Sequence, residues 1–106
     1  MSQLRIGAAA SGRLDEIYDY TRRMWGEDQA EAYIRGLFDR FEDIAHHRII
    51  WRVVPVAFGV DGYVTRYRHH FIYWRRLSDG TVGIVTILHE RMHQIERFAD
   101  DWGVES

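Results

Sequence analysis

Near its C-terminal end the chain reads His89-Glu90-Arg91-Met92-His93, which spells HExxH. On a helix, two histidines at i and i+4 share one face and can hold zinc, with the glutamate as general base. Two features weigh against that chemistry. His89 follows a strongly apolar, strand-like run, which puts the first ligand at a strand end, and no third ligand stands at a familiar spacing. With six His in the chain, the pattern also arises by chance roughly a few times in a hundred. A zinc hydrolase is therefore only a remote alternative, and no metal or other cofactor is expected. The pair His46-His47 closes a helical stretch, where a cation complements the helix dipole. That reading is preferred to a ligand pair.

A second constellation lies in residues 63–76, read as one long strand. Alternation puts Arg66, Arg68, His70, Ile72 and Trp74 on one face, and Tyr67, His69, Phe71, Tyr73 and Arg75 on the other. Two arginines and a histidine on one face can grip phosphate or carboxylate bidentately. The competing reading is a solvated sheet edge whose arginine stems lie along apolar surface. Both stay open at this point.

Composition bounds what such residues can serve. The 106 residues suit one domain spanning the chain, 46% hydrophobic and 28% charged. Aromatics reach 14%, enough ring area for a solid core, a binding face, or both. The absence of Cys excludes disulfides and thiolate chemistry. No apolar stretch approaches the ~20 residues of a membrane span, and the first ten residues do not read as a secretory signal. A cytoplasmic location is expected. The formal net charge is -2, whereas domains that grip bare nucleic acid carry a basic excess. All 14 basic residues are Arg.

The elements that must position these residues follow from periodicity. Gln3 to Ile6 predicts a short first strand, and Gly7 to Gly12 a connection with Ser11 as N-cap. Leu14, Ile17, Tyr18 and Thr21, closed by Met24 or Trp25, recur at helical spacing. Gly26 suits the positive-φ residue that ends a helix. Glu27 and Asp28 then open a second helix, whose stripe is Ala30, Tyr33, Ile34, Leu37, Phe38, Phe41, Ile44 and Ala45. The tight link makes the two helices an antiparallel hairpin. Ile49 to Val56 predicts a strand ended by Pro55, and Phe58 to Gly62 a turn. Ser78-Asp79-Gly80 signals a hairpin. Val82 to Leu88 reads as a strand covered on both faces, and Met92 to Trp102 as a final helix. The result is an α+β domain: a short first strand and a helical hairpin on a three- to four-stranded antiparallel sheet.

This order and four local strings resemble the ParE branch of the RelE/ParE toxins. Leu14-Asp15-Glu16-Ile17-Tyr18-Asp19-Tyr20 looks like the family's first-helix segment, and Trp25-Gly26-Glu27-Asp28-Gln29-Ala30 with Tyr33-Ile34 like its inter-helix link. His70-Phe71-Ile72-Tyr73 and Ile87-Leu88-His89-Glu90-Arg91-Met92 look like its strand and ending motifs. The resemblance implies a toxin that binds DNA gyrase and is neutralised, in a hetero-oligomer, by a ParD-like ribbon-helix-helix antitoxin. DNA would be contacted only through that antitoxin. It places target contacts among Arg66, Arg68, His70, Trp74, His89, Arg91 and Met92. Antitoxin contacts fall among Leu14, Tyr18, Trp25, Tyr33, Phe38 and Arg68. The RelE branch instead cleaves mRNA on the ribosome, and Arg66, Arg68, His70, Tyr73 and His89 are the residues that would form such a site. No enzymatic activity is implied by the ParE reading; the ribonuclease is its rival.

Overall fold

The computed structural model describes residues 4–55, 62–92, 94 and 97. The chain runs β1 (Leu4–Ile6), α1 (Ala8–Trp25), α2 (Glu27–Ala45), β2 (Arg52–Val53), β3 (Tyr63–Tyr67), β4 (His70–Arg76) and β5 (Val82–His89). The strands form one sheet in the order β1-β5-β4-β3-β2. The pairs among β2 to β5 are antiparallel, as predicted. β1 adds a parallel edge to β5, with Leu4 opposite Val82 and Ile6 opposite Ile84. The sheet is therefore mixed and five-stranded.

The apolar run of β5 explains its central place. Val82, Ile84 and Ile87 enter the main core with Ala10, Leu14, Ile17, Leu37, Phe41 and Ile44 from the helices and Ile72 and Trp74 from β4. Val85 and Leu88 join Val54, Val64 and Tyr73 in a second cluster. A bulge opposite Tyr73 and Trp74 shifts the alternation by one residue within β5, so 82, 84 and 87 face the helices and 85 and 88 the other side, and β5 needs apolar residues at nearly every position. The buried Trp74 indole is satisfied within the core, donating from Nε1 to Thr65 Oγ1 at 3.1 Å.

Helix α1 starts earlier than the sequence reading placed it. The Ala8-Ala9-Ala10 run favours helix over connection, so Gly7 is the N-cap and Ser11 lies inside the first turns, its N–H donating to Gly7 O at 2.9 Å. Gly26 ends α1 and begins α2 at φ 98 and ψ 166, a region essentially reserved for glycine. The α1 stripe also fades: Met24 is 57% and Trp25 70% exposed.

Two strand expectations need correction. Residues 63–76 are not one strand. The chain reverses at Arg68 and His69, so that Tyr67 pairs with His70. Positive φ falls at Arg68 (φ 51) but not at His69, the pattern of a two-residue type II′ hairpin, whose first position favours glycine. Only Arg52 and Val53 of the predicted 49–56 strand pair with a neighbour. By contrast, the predicted hairpin at Ser78-Asp79-Gly80 is present. Leu77 N–H donates to Thr81 O at 2.8 Å, Gly80 takes φ 88, and Asp79 Oδ1 accepts the Thr81 N–H at 3.0 Å. The predicted turn at 58–61 and most of the final helix lie outside the described residues; Gln94 and Arg97 have helical backbone.

Candidate functional site

The chemistry-bearing residues gather where the β3–β4 turn meets the end of β5. Reversal of the chain at Arg68 breaks the alternation assumed for a single strand, and the sheet divides the residues between its faces. Arg66 points away from the helices: its guanidinium lies 5.1 Å from the Phe71 ring centroid and pairs with Glu90. Tyr73 belongs to the same outer face, with its hydroxyl donating to Gln94 Oε1 at 2.8 Å. His70 turns toward α2, where its Nδ1 is 2.7 Å from the Tyr33 hydroxyl. Burial, with the neighbouring His89 and His69 rings, pulls the His70 pKa down to about 4, so the ring is neutral near pH 7.

His89 stands opposite His70 in the ladder, their rings edge-on at 5.0 Å. Its Nδ1 accepts the Arg91 N–H at 3.0 Å, which leaves the proton of a neutral ring on Nε2. His69 lies in the turn, its ring stacked 6.3 Å from His89 and its Nδ1 2.9 Å from Glu90 Oε2. The His69 side chain, together with Arg66, holds the Glu90 carboxyl below the usual carboxylate range. Thus Glu90 serves as a tie between the turn and the end of β5. His89 ends a strand and Glu90 and Arg91 form a turn, so the first half of HExxH is not on a helix. His93 lies outside the described residues.

The remaining expected contact residues scatter. Trp74 is fully buried and Leu14 is 8% exposed in the main core, so neither presents a face to a partner. Tyr18 and Met92 are half-buried, and Arg91 is exposed. Trp25 and Phe38 are exposed, Phe38 at 40% with its ring against Phe41. At the end of α2, His46 Nδ1 lies 2.8 Å from Glu42 O, the carbonyl that also accepts the His46 backbone N–H at 3.0 Å. His47 lies 3.4 Å from the Arg76 guanidinium.

Sequence reasoning missed one centre altogether. Tyr67, on the helix-facing side, is 8% exposed and meets Tyr33 edge-on at 5.3 Å. The Arg40 and Arg68 guanidiniums lie 5.4 and 5.7 Å from its centroid. It fits because residue 36 is glycine: a Cβ there would come within 1.9 Å of the Tyr67 hydroxyl oxygen. A glycine inside a helix costs about 1 kcal/mol against alanine, so Gly36 was the available signal of a close approach.

Comparison with known proteins agrees with this architecture. The profile of the family described as the ParE toxin of type II toxin–antitoxin system, parDE, matches residues 4–94. The chain is 33% identical over 96 residues to Toxin ParE1 of Mycobacterium tuberculosis (strain CDC 1551 / Oshkosh), covering 86% of this chain and 92% of that protein. It is 30% identical over 100 residues to Toxin ParE of Escherichia coli, covering 94% and 96%. A chain of the solved chromosomal ParDE TA system from P. aeruginosa superposes with a TM-score of 0.63 at 19% identity, covering 84% of this chain and 96% of that one, a likeness of fold. With the family profile spanning nearly the whole domain and both relatives covered almost end to end, the chain belongs to the ParE toxin family of type II toxin–antitoxin systems.

Proposed function

We propose that this ParE-family toxin acts in the cytoplasm by binding DNA gyrase, and that a ParD-like ribbon-helix-helix antitoxin neutralises it in a hetero-oligomer. The observation that carries the choice over ribosome-dependent RNA cleavage is the division of the nuclease set by the sheet. A single phosphodiester centre needs a base, an acid and a cation converging on one group within hydrogen-bond reach. Here Arg66 and Tyr73 lie on the outer face, while His70 is buried against Tyr33 on the helix side. Arg66 is engaged by Glu90.

None of the helices among the described residues is long and apolar enough to cross a membrane. The expected outcome is inhibition of supercoiling by purified gyrase in proportion to added toxin, with activity restored by the antitoxin. In a translation extract the mRNA stays intact. Cleaved mRNA alongside unimpaired supercoiling would reverse the assignment in favour of the ribonuclease.

A further inference from the structure

Among the described residues, six of the 14 arginines are paired with a carboxylate. Arg5 pairs with Asp79, Arg13 with Glu16, Arg22 and Arg23 with Asp19, Arg48 with Asp43, and Arg66 with Glu90. Arg40 and Arg68 are outside that set and share one aromatic ring. They come from separate elements, α2 and the β3–β4 turn, yet both lie over the Tyr67 ring, at 5.4 and 5.7 Å from its centroid. Arg68 Nε also donates to the Tyr67 hydroxyl at 3.3 Å. Neither meets a carboxylate among the described residues. An arginine resting on an aromatic ring keeps donors on its N–H edge for a planar bidentate acceptor. The platform is fixed: Tyr67 is buried, wedged against Gly36 and braced by Tyr33.

The backbone adds an independent observation. Arg68 holds φ 51 at a turn position that glycine prefers. Left-handed backbone is unfavourable for a residue with a Cβ, and such departures collect at binding sites. Glycine would serve the turn better, so the arginine side chain comes at a backbone cost.

We propose that Arg40 and Arg68 form a two-armed clamp on the Tyr67 platform that takes a carboxylate side chain of the antitoxin; this rests on the antitoxin partnership proposed above. A polypeptide carboxylate fits better than a nucleic-acid backbone. The chain carries 16 acidic residues against 14 basic, and a long polyanion would be repelled beyond this one spot, whereas one or two carboxylates match two guanidiniums.

The test titrates the purified toxin with a ParD-like ribbon-helix-helix antitoxin. Arg40→Met and Arg68→Met are each expected to weaken binding about 10- to 100-fold, the loss of a charge-assisted hydrogen-bonded contact. Arg5→Met, which removes a cation already paired elsewhere, leaves binding unchanged. Neutralising the antitoxin's Asp and Glu residues one at a time should find one whose loss is non-additive with Arg68→Met. Arg68→Gly separates recognition from folding: it should melt no lower than the wild type yet bind as weakly as Arg68→Met. Wild-type affinity in both methionine variants, or losses that couple to no antitoxin carboxylate, would overturn the clamp while leaving the partnership intact. If the unaltered toxin binds no antitoxin, the partnership itself fails and the clamp with it.

Discussion

At the scale of single residues, the pair Tyr33 and His70 shows how a group suited to catalysis is diverted to structure. Read from the sequence, His70 offered general acid–base chemistry. Folded, its ring is 9% exposed, and its Nδ1 faces the Tyr33 hydroxyl at 2.7 Å. The charged groups around it are His89, His69 and Glu90. The first two disfavour a further positive charge and the third favours it, but burial dominates and the pKa falls to about 4 from 6.5. The consequence for stability has a definite sign. Between pH 6.5 and 4 the unfolded chain binds a proton at this position that the folded chain refuses, so stability falls as the pH drops through that window. Above it, His70 is neutral in both states and contributes no slope. After discounting for residual solvent contact, the loss is on the order of 2 kcal/mol. Denaturant melts from pH 7.5 to 4 should show it. In His70→Asn, whose amide oxygen can still accept from Tyr33, that part of the slope should vanish; an unaltered slope would mean another group is responsible. Such burial was illegible in the sequence because His70 was placed on a strand face with Arg66 and Arg68, and only the reversal at Arg68 puts it beneath α2.

At the scale of elements, the apolar stripes and β5 were legible because burial leaves a periodic record. Leu14, Ile17, Leu37, Phe41 and Ile44 are all in the main core, and Val82 to Leu88 are all buried. Two boundaries were not legible. The β3–β4 turn carries none of the glycine, asparagine or proline that ordinarily marks a reversal. The edge strand β2 shrinks to Arg52–Val53, although residues 49–54 are β-branched or aromatic apart from Arg52. Propensity reports fitness for a pleated surface, and pairing depends on what the neighbour offers. The contact between α2 and β3 makes a prediction at this scale. Gly36→Ala gains about 1 kcal/mol of helix propensity, but its methyl group would meet the Tyr67 hydroxyl at 1.9 Å and the ring carbon behind it at 2.8 Å. Tyr67 has little room to withdraw, hemmed in by Tyr33 and the two arginines. Overpacking of this kind costs typically 1–3 kcal/mol, so the net effect expected is a loss of about 1 kcal/mol, read as a lower denaturation midpoint. A variant as stable as the wild type would show that α2 can slide off the sheet more easily than its packing implies. Binding to the antitoxin should fall as well, because the clamp's platform moves.

For the whole molecule, the balance between charge and exposed apolar surface governs its behaviour in solution. A formal net charge of -2 gives weak mutual repulsion. Tyr20, Met24 and Trp25 are 57%, 57% and 70% exposed at the end of α1; Tyr20 and Met24, four residues apart, share one side of the helix. Ile50 and Val53, 88% and 70% exposed, lie at the opposite end of the sheet order, beside and within β2. Large apolar side chains exposed in groups promote association with another surface. Helical spacing puts Met24 or Trp25 at the close of the α1 stripe, and periodicity alone does not distinguish a stripe that ends in the core from one that runs past it. Because these two side chains lie beyond the core, replacing them should separate association from stability. Met24→Gln with Trp25→Ser is expected to lower self-association, measured by light scattering over a concentration series, while unfolding free energy stays within about 0.5 kcal/mol of the wild type. If the double variant instead melts well below the wild type, the hairpin tip belongs to the folding core and the exposed patch is not what drives association. If it melts as the wild type and still associates, the surface responsible is the β2 edge, where Val53→Lys supplies the charge with which natural edge strands resist pairing.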